Sequence, residues 1–173
     1  MTEHRGRVSF KGEFSGAPFR AVYACDEKGY VLSSIVKFFV ATKLDAMNSM
    51  QMGPDVMFPS LSFGNFDVEG ALLEWESWLT SQTFAELVDA GVPEVVAESG
   101  DGPTVFLLSD AFVDSLVSAP ASRIDELALW WVGEKLTEGI EIDSQVALEI
   151  LHSLVGLVRQ KRDPEERVYC WTG

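Results

Sequence analysis

"RVYCW", Arg167 to Trp171, lies near the end of a chain whose second half otherwise reads as helices. Valine, tyrosine and tryptophan side by side, after the Asp163-Pro164 break, predict a strand. A strand cannot stand alone, because its backbone groups need a neighbour to pair with. The chain offers partners at its other end. "RVSFKGEF" (7–14) and "FRAVYAC" (19–25) are rich in aromatic and β-branched residues and flank a four-residue break, Ser15-Gly16-Ala17-Pro18, which predicts a hairpin. "TVFLL", Thr104–Leu108, follows the turn-rich "AESGDGP" and predicts a short buried strand. With helical stretches between these strands, the order is β-β-α-α-α-β-α-α-α-β. That order predicts an α+β fold with a small, mostly antiparallel sheet. The sheet is expected to hold the N-terminal hairpin, one central strand and the C-terminal strand, under about five or six helices.

The helices follow from period and caps. "YVLSSIVKFFVATKLDAM" sets Leu32, Ile35, Phe39, Leu44 and Met47 at loose helical spacing, although "YVL" also suits the sheet. Asp67 is the expected N-cap of a helix over Val68 to Ser81. There Val68, Leu72, Trp75 and Leu79 fall at i, i+4, i+7 and i+11, one buried stripe. Glu69 and Glu76 are expected at the wet edge of that stripe, Glu74 well away from it, and Trp78 off it beside Ala71. "TFAELVDAGVP" reads as a short helix closed by Gly91 and stopped by Pro93. Ser109 or Asp110 is expected to cap "DAFVDSLVSA". Ser122 is expected to open "RIDELALWWVGEKL", with Ile124, Leu127, Ala128 and Trp131 on one face. Ser144 is expected to open "QVALEILHSLVGLVRQKR", with Ala147, Ile150, Leu151, Leu154 and Val158 inward and a basic last turn on the negative end of the helix dipole. Between Asn48 and Gly64 the chain reads as a long apolar loop with Met50, Met52, Met57 and Phe58, and long loops in compact domains often carry function.

At 173 residues and 19.1 kDa, with 47% hydrophobic residues, the chain predicts a single globular domain over 1–173 with a real core. Its net charge of −14 is the outlying property. The charge is local: residues 65–150 hold eighteen acidic side chains and two basic ones, Arg123 and Lys135, whereas 1–64 hold six and seven, and 151–173 three and four. Such a segment repels nucleic acid and anionic membranes, which are bound through Lys and Arg, and attracts basic proteins. "MTEHRGRVSF" has no apolar core of a secretion signal, and the greasiest run, "IVKFFVA", is too short to span a bilayer. Cys25 and Cys170, without such a signal, read as reduced, partly buried thiols, with a single disulfide between them as the alternative. The expectation is a cytoplasmic protein, monomeric or homodimeric.

Catalytic signatures are sparse. Glu149 and His152 stand at i, i+3 on a helix, half of a carboxylate-bridged di-iron pattern, but the second half is absent and the only other histidine is His4. Cys25 and Cys170 have no zinc-ligand spacing, and a hydrolase Gly-x-Ser-x-Gly elbow does not occur. "GDGPT", Gly100–Thr104, has neither the lysine nor the helix of a phosphate cradle. No metal, cofactor or catalytic residue is assigned, and a non-enzymatic role is the leading expectation.

The leading functional expectation is therefore an acidic binding protein that neutralises a basic protein partner. Immunity proteins and antitoxins that block bacterial toxins have this composition. A nucleic-acid mimic that inhibits a restriction or defence system is the first alternative. A small enzyme or ligand-binding domain with a pocket under the 48–64 loop is the second. The residues expected to meet the partner are Glu74, Glu76, Trp78, Glu126, Trp130, Glu134, Glu138, Glu141 and Asp143, carboxylates for steering and tryptophans as desolvated anchors.

Overall fold

A computed structural model describes residues 13–14, 17–18, 35–64, 66–161 and 163–173. The main sheet has five strands, all antiparallel, in the order β4-β3-β7-β6-β5. They are β3 (Val36–Ala41), β4 (Ser60–Phe63), β5 (Glu94–Glu98), β6 (Thr104–Leu107) and β7 (Arg167–Thr172). The C-terminal strand read from "RVYCW" is the middle of the sheet. Val36 of β3 faces Thr172 and Ala41 faces Arg167, while Thr104 of β6 faces Thr172 on the other side. Both edges of β7 are thereby filled, so it does not return to the N-terminal hairpin as expected. Of that hairpin, the described residues are β1 (Glu13–Phe14) and β2 (Ala17–Pro18), paired with each other in a separate two-stranded sheet. Ala17 and Pro18 thus belong to the pairing instead of the turn, and the rest of the two expected strands lies outside the described residues.

Side chains alternate across the three inner strands, and both faces are covered. Val36 and Phe38, Phe106, and Val168 and Cys170 point into the larger core, where α2 (Val68–Thr80), α4 (Asp110–Ser118), α5 (Ala121–Thr137) and α6 (Ser144–Val158) pack. Phe39, Ala41, Val105, Tyr169 and Trp171 point the other way, into a smaller core with Ala46 of α1 (Lys43–Asn48), Met50 and Phe58. A sixth helix, α3 (Phe84–Asp89), packs on α2.

The two-sided burial explains the main correction. Residues 36–41, expected within a helix, are a strand, and the helix begins only after Thr42, whose hydroxyl caps α1 by accepting from the Asp45 N–H. A strand buried on both faces shows no polar alternation, so its apolar run is compatible with either period. The 48–64 stretch is likewise more ordered than a loop, with a short 3-10 turn at Pro54–Val56 and β4 as an edge strand. The Trp171 indole N–H donates to the Met50 carbonyl at 2.7 Å, and Lys37 pairs with Asp55, which fastens this stretch to the sheet. β5 was hidden because two of its five residues are glutamates on an edge.

Most caps follow the sequence. Asp67 accepts from the Gly70 N–H at 3.1 Å to open α2, and Ser109 accepts from the Phe112 N–H at 3.0 Å to open α4. Two starts shift. α5 begins at Ala121 with Pro120 at its N-cap, so Ser122 lies inside the first turn. α6 is capped by Asp143, not Ser144, and stops at Val158 before the expected basic turn. α5 ends where Gly139 takes φ +82, allowing Ile140 N–H to reach back to the Lys135 carbonyl at 2.8 Å.

Candidate partner-binding surface

The tryptophan helices meet through their aromatic faces. Trp75 of α2 and Trp131 of α5 pack edge to face with centroids 5.0 Å apart, and Phe66 closes the cluster against both. Such geometry sets the positive ring edge on the negative ring face and adds about 0.5–1.5 kcal/mol to area burial.

At the rim of this cluster the charges are internal. Trp131 N–H donates to Glu74 at 2.9 Å, and Lys135 donates to Glu74 at 2.5 Å and to Glu138 at 3.0 Å. Burial pulls the Lys135 ammonium toward a lower pKa, but the two carboxylates outweigh it and hold the pKa above its ordinary value. Glu74 therefore does not point into water as the helix phase predicted. α2 packs against α3, α4 and α5, and a helix with three neighbours has little wet face left. Glu76 departs further, at 2% exposure. Its carboxylate accepts from the Ser109 hydroxyl at 2.5 Å, joining α2 to the cap of α4. Burial raises its pKa, a shift the Ser109 hydrogen bond only partly opposes.

Of the remaining expected residues, Trp78 and Trp130 are half-buried and lie together, centroids 6.3 Å apart, with the Arg123 guanidinium 4.3 Å over the Trp78 ring. Glu126, Glu134, Glu138, Glu141 and Asp143 are exposed, Glu138 facing Lys135 and Asp143 serving also as the α6 cap. Both basic side chains of the acidic segment have partners within the chain, the exposed Arg123 stacked on an indole and the buried Lys135 between two carboxylates. The outward surface of α5 and the turn after it is predominantly acidic, with Trp78 and Trp130 near Arg123.

Sequence reasoning passed over a second set on the same helix. Leu129 is 57% exposed, Leu136 60% and Ile140 45%, with Gly133 between the leucines. The signal was available, since Leu129, Gly133 and Leu136 fall at i, i+4 and i+7 on the face opposite Ile124, Leu127, Ala128 and Trp131.

Elsewhere, His152 is exposed and lies 2.6 Å from Asp125, a surface pair across α5 and α6. Among the described residues no three His, Cys, Asp or Glu side chains group as a metal site, and no helix is long and apolar enough to cross a membrane. Cys170 is a buried thiol whose pKa burial raises well above the usual range, which makes it a poor nucleophile at neutral pH. Cys25 and His4 lie outside the described residues. The Tyr169 hydroxyl and the Trp75 indole N–H are buried without a hydrogen-bond partner among the described residues. Comparison with known protein families, with curated proteins and with solved structures finds no match.

Proposed function

We propose that this chain is an acidic binding protein that neutralises a basic protein partner, in the manner of an immunity protein or antitoxin. The single observation that carries the reading is the segregation of charge. Within residues 65–150 there are only two basic side chains, Lys135 buried between two carboxylates and Arg123 stacked on Trp78, while Glu126, Glu134, Glu141 and Asp143 are exposed along α5 and the turn into α6. An array of one sign steers an oppositely charged partner and raises its association rate. The half-buried Trp78–Trp130 pair supplies the kind of rigid aromatic contact that carries binding energy once it is desolvated. A nucleic-acid mimic is less favoured, because the exposed carboxylates lie on different sides of α5 and past its end, and exposed leucines occupy part of that helix, so they form no uninterrupted anionic track. A ligand pocket under residues 48–64 has one observation in its favour, the Tyr169 hydroxyl in the smaller core, which has no hydrogen-bond partner among the described residues.

The test is affinity capture from the native host with the wild-type chain and with Glu126→Lys/Glu134→Lys/Glu141→Lys, followed by binding kinetics on the recovered protein. The reading expects a basic partner whose association slows in the variant, most strongly at low salt, because the Debye length shrinks from about 10 Å at 0.1 M to about 3 Å at 1 M. Equal association of both chains at both salts would leave the acidic segment with a role in solubility alone.

A further inference from the structure

The outer face of α5 combines apolar exposure with a feature that nothing among the described residues explains. Leu129 and Leu136 stand one heptad apart, more than half exposed, and Ile140 continues their line past the end of the helix. Between the leucines lies Gly133, exposed in a helix interior, where glycine is among the poorest helix formers. Among the described residues, a Cβ added at Gly133 would meet nothing within 4 Å. Packing among those residues therefore does not require the glycine. A missing side chain on an outer helix face does permit close approach of another backbone, since packed helix axes lie about 8–10 Å apart and the smaller separations go with smaller side chains at the crossing.

The rim of this face decides what fits it. Glu126 flanks the stripe on one side, Asp125, 2.6 Å from the His152 imidazole, on the other, and Glu141 lies beyond its end; of the basic side chains on this helix, Arg123 is stacked on Trp78 and Lys135 is held by Glu74 and Glu138. A second copy of this chain would set these carboxylates against their own kind, which disfavours self-association. Resting on the basic-partner reading, we propose that this face receives an amphipathic helix of the partner. Its apolar side meets Leu129 and Leu136, its closest approach is at Gly133, and Lys or Arg along its flanks meet Asp125 and Glu126.

Three labelled synthetic peptides of about 18 residues, long enough to form an amphipathic helix on a surface, test this by fluorescence anisotropy against the full chain. The first carries leucines at i, i+3, i+4 and i+7 with lysine flanks; the second has the same composition with the leucines scattered; the third keeps the leucines and replaces lysine by glutamine. The expected result is binding of the first peptide at least ten-fold tighter than either other. Leu129→Ser/Leu136→Ser, on exposed sites that leave the fold intact, should weaken it about ten-fold or more. Gly133→Gln should weaken it similarly while raising the melting temperature, because glutamine is the better helix former. If the scattered peptide binds as well as the first, or both variants bind like wild type, the α5 site is overturned. Salt-sensitive binding in that case still leaves the basic-partner reading standing. If the glutamine peptide binds as tightly as the lysine one and salt has no effect, the basic-partner reading fails and the proposed occupant with it. No binding of the first peptide, or a dimer in sedimentation that Leu129→Ser/Leu136→Ser dissolves, would also overturn the proposal.

Discussion

The Trp131 indole N–H and the Glu74 carboxylate are 2.9 Å apart, and the same carboxylate accepts from Lys135 at 2.5 Å. One glutamate thus satisfies a buried indole and a mostly buried ammonium, locking α2 to α5. Glu74→Ala would leave both donors without this acceptor, although Glu138 still holds Lys135. The expected cost is about 2–3 kcal/mol, below the full penalty for a severed buried ion pair because Lys135 keeps one partner. Urea denaturation checks it, and a loss under about half a kcal/mol, typical of free surface residues, would contradict the geometry.

Trp75 is fully buried against Trp131 and Phe66. Trp75→Ala should remove about 3–5 kcal/mol, the range for truncating a buried tryptophan to alanine. An unchanged melting temperature would mean that the indole does not sit where α2 packs on α5.

Glu76 gives a pH-dependent prediction. Burial raises its pKa in the folded protein above the ordinary 4.5, with the Ser109 hydrogen bond opposing in part. The folded state therefore binds the proton more tightly than the unfolded chain, and stability is lost as pH rises from the ordinary value through the raised one. Glu76→Gln keeps an acceptor for Ser109 and removes the buried charge. Its melting temperature should exceed that of wild type at pH 7, with the advantage shrinking toward pH 4 and below. Thermal scans across that range decide it, and an advantage that grew on acidification would reverse the sign argued here.

Glu126, Glu134 and Glu141 should behave oppositely to Glu74. They are exposed, and reversing them lowers the self-repulsion of a chain at net charge −14. Glu126→Lys/Glu134→Lys/Glu141→Lys should keep its melting temperature at or slightly above that of wild type, whereas Glu74→Lys should unfold earlier. Differential scanning calorimetry of the two variants separates carboxylates that hold the fold from those available to a partner.

Legibility was uneven along the chain, for physical reasons. α2, α4 and α6 declared themselves through an apolar stripe at helical period and a capping residue nearby, which are interactions within a few residues. β7 declared itself through aromatic and β-branched content. β3 and α1 were merged into one expected helix because burial on both faces of the sheet erased the alternation that marks a strand. Gly133, Leu129 and Leu136 were readable as a second stripe but carried no meaning until Ile124, Leu127, Ala128 and Trp131 were seen to fill the core without them.

The amino-acid order by itself determined the α+β class, the helix caps at Asp67 and Ser109, and the concentration of acidic residues between 65 and 150. These depend on composition and on contacts a turn apart. Only the tertiary structure decided which of those acids face outward. Glu74 is drawn in by Trp131 and Lys135 from another helix, and Glu76 by Ser109, partners too far along the chain for helical periodicity to register. A carboxylate is buried where long-range packing supplies donors that offset its lost hydration, so its position depends on which elements meet rather than on its neighbours in sequence.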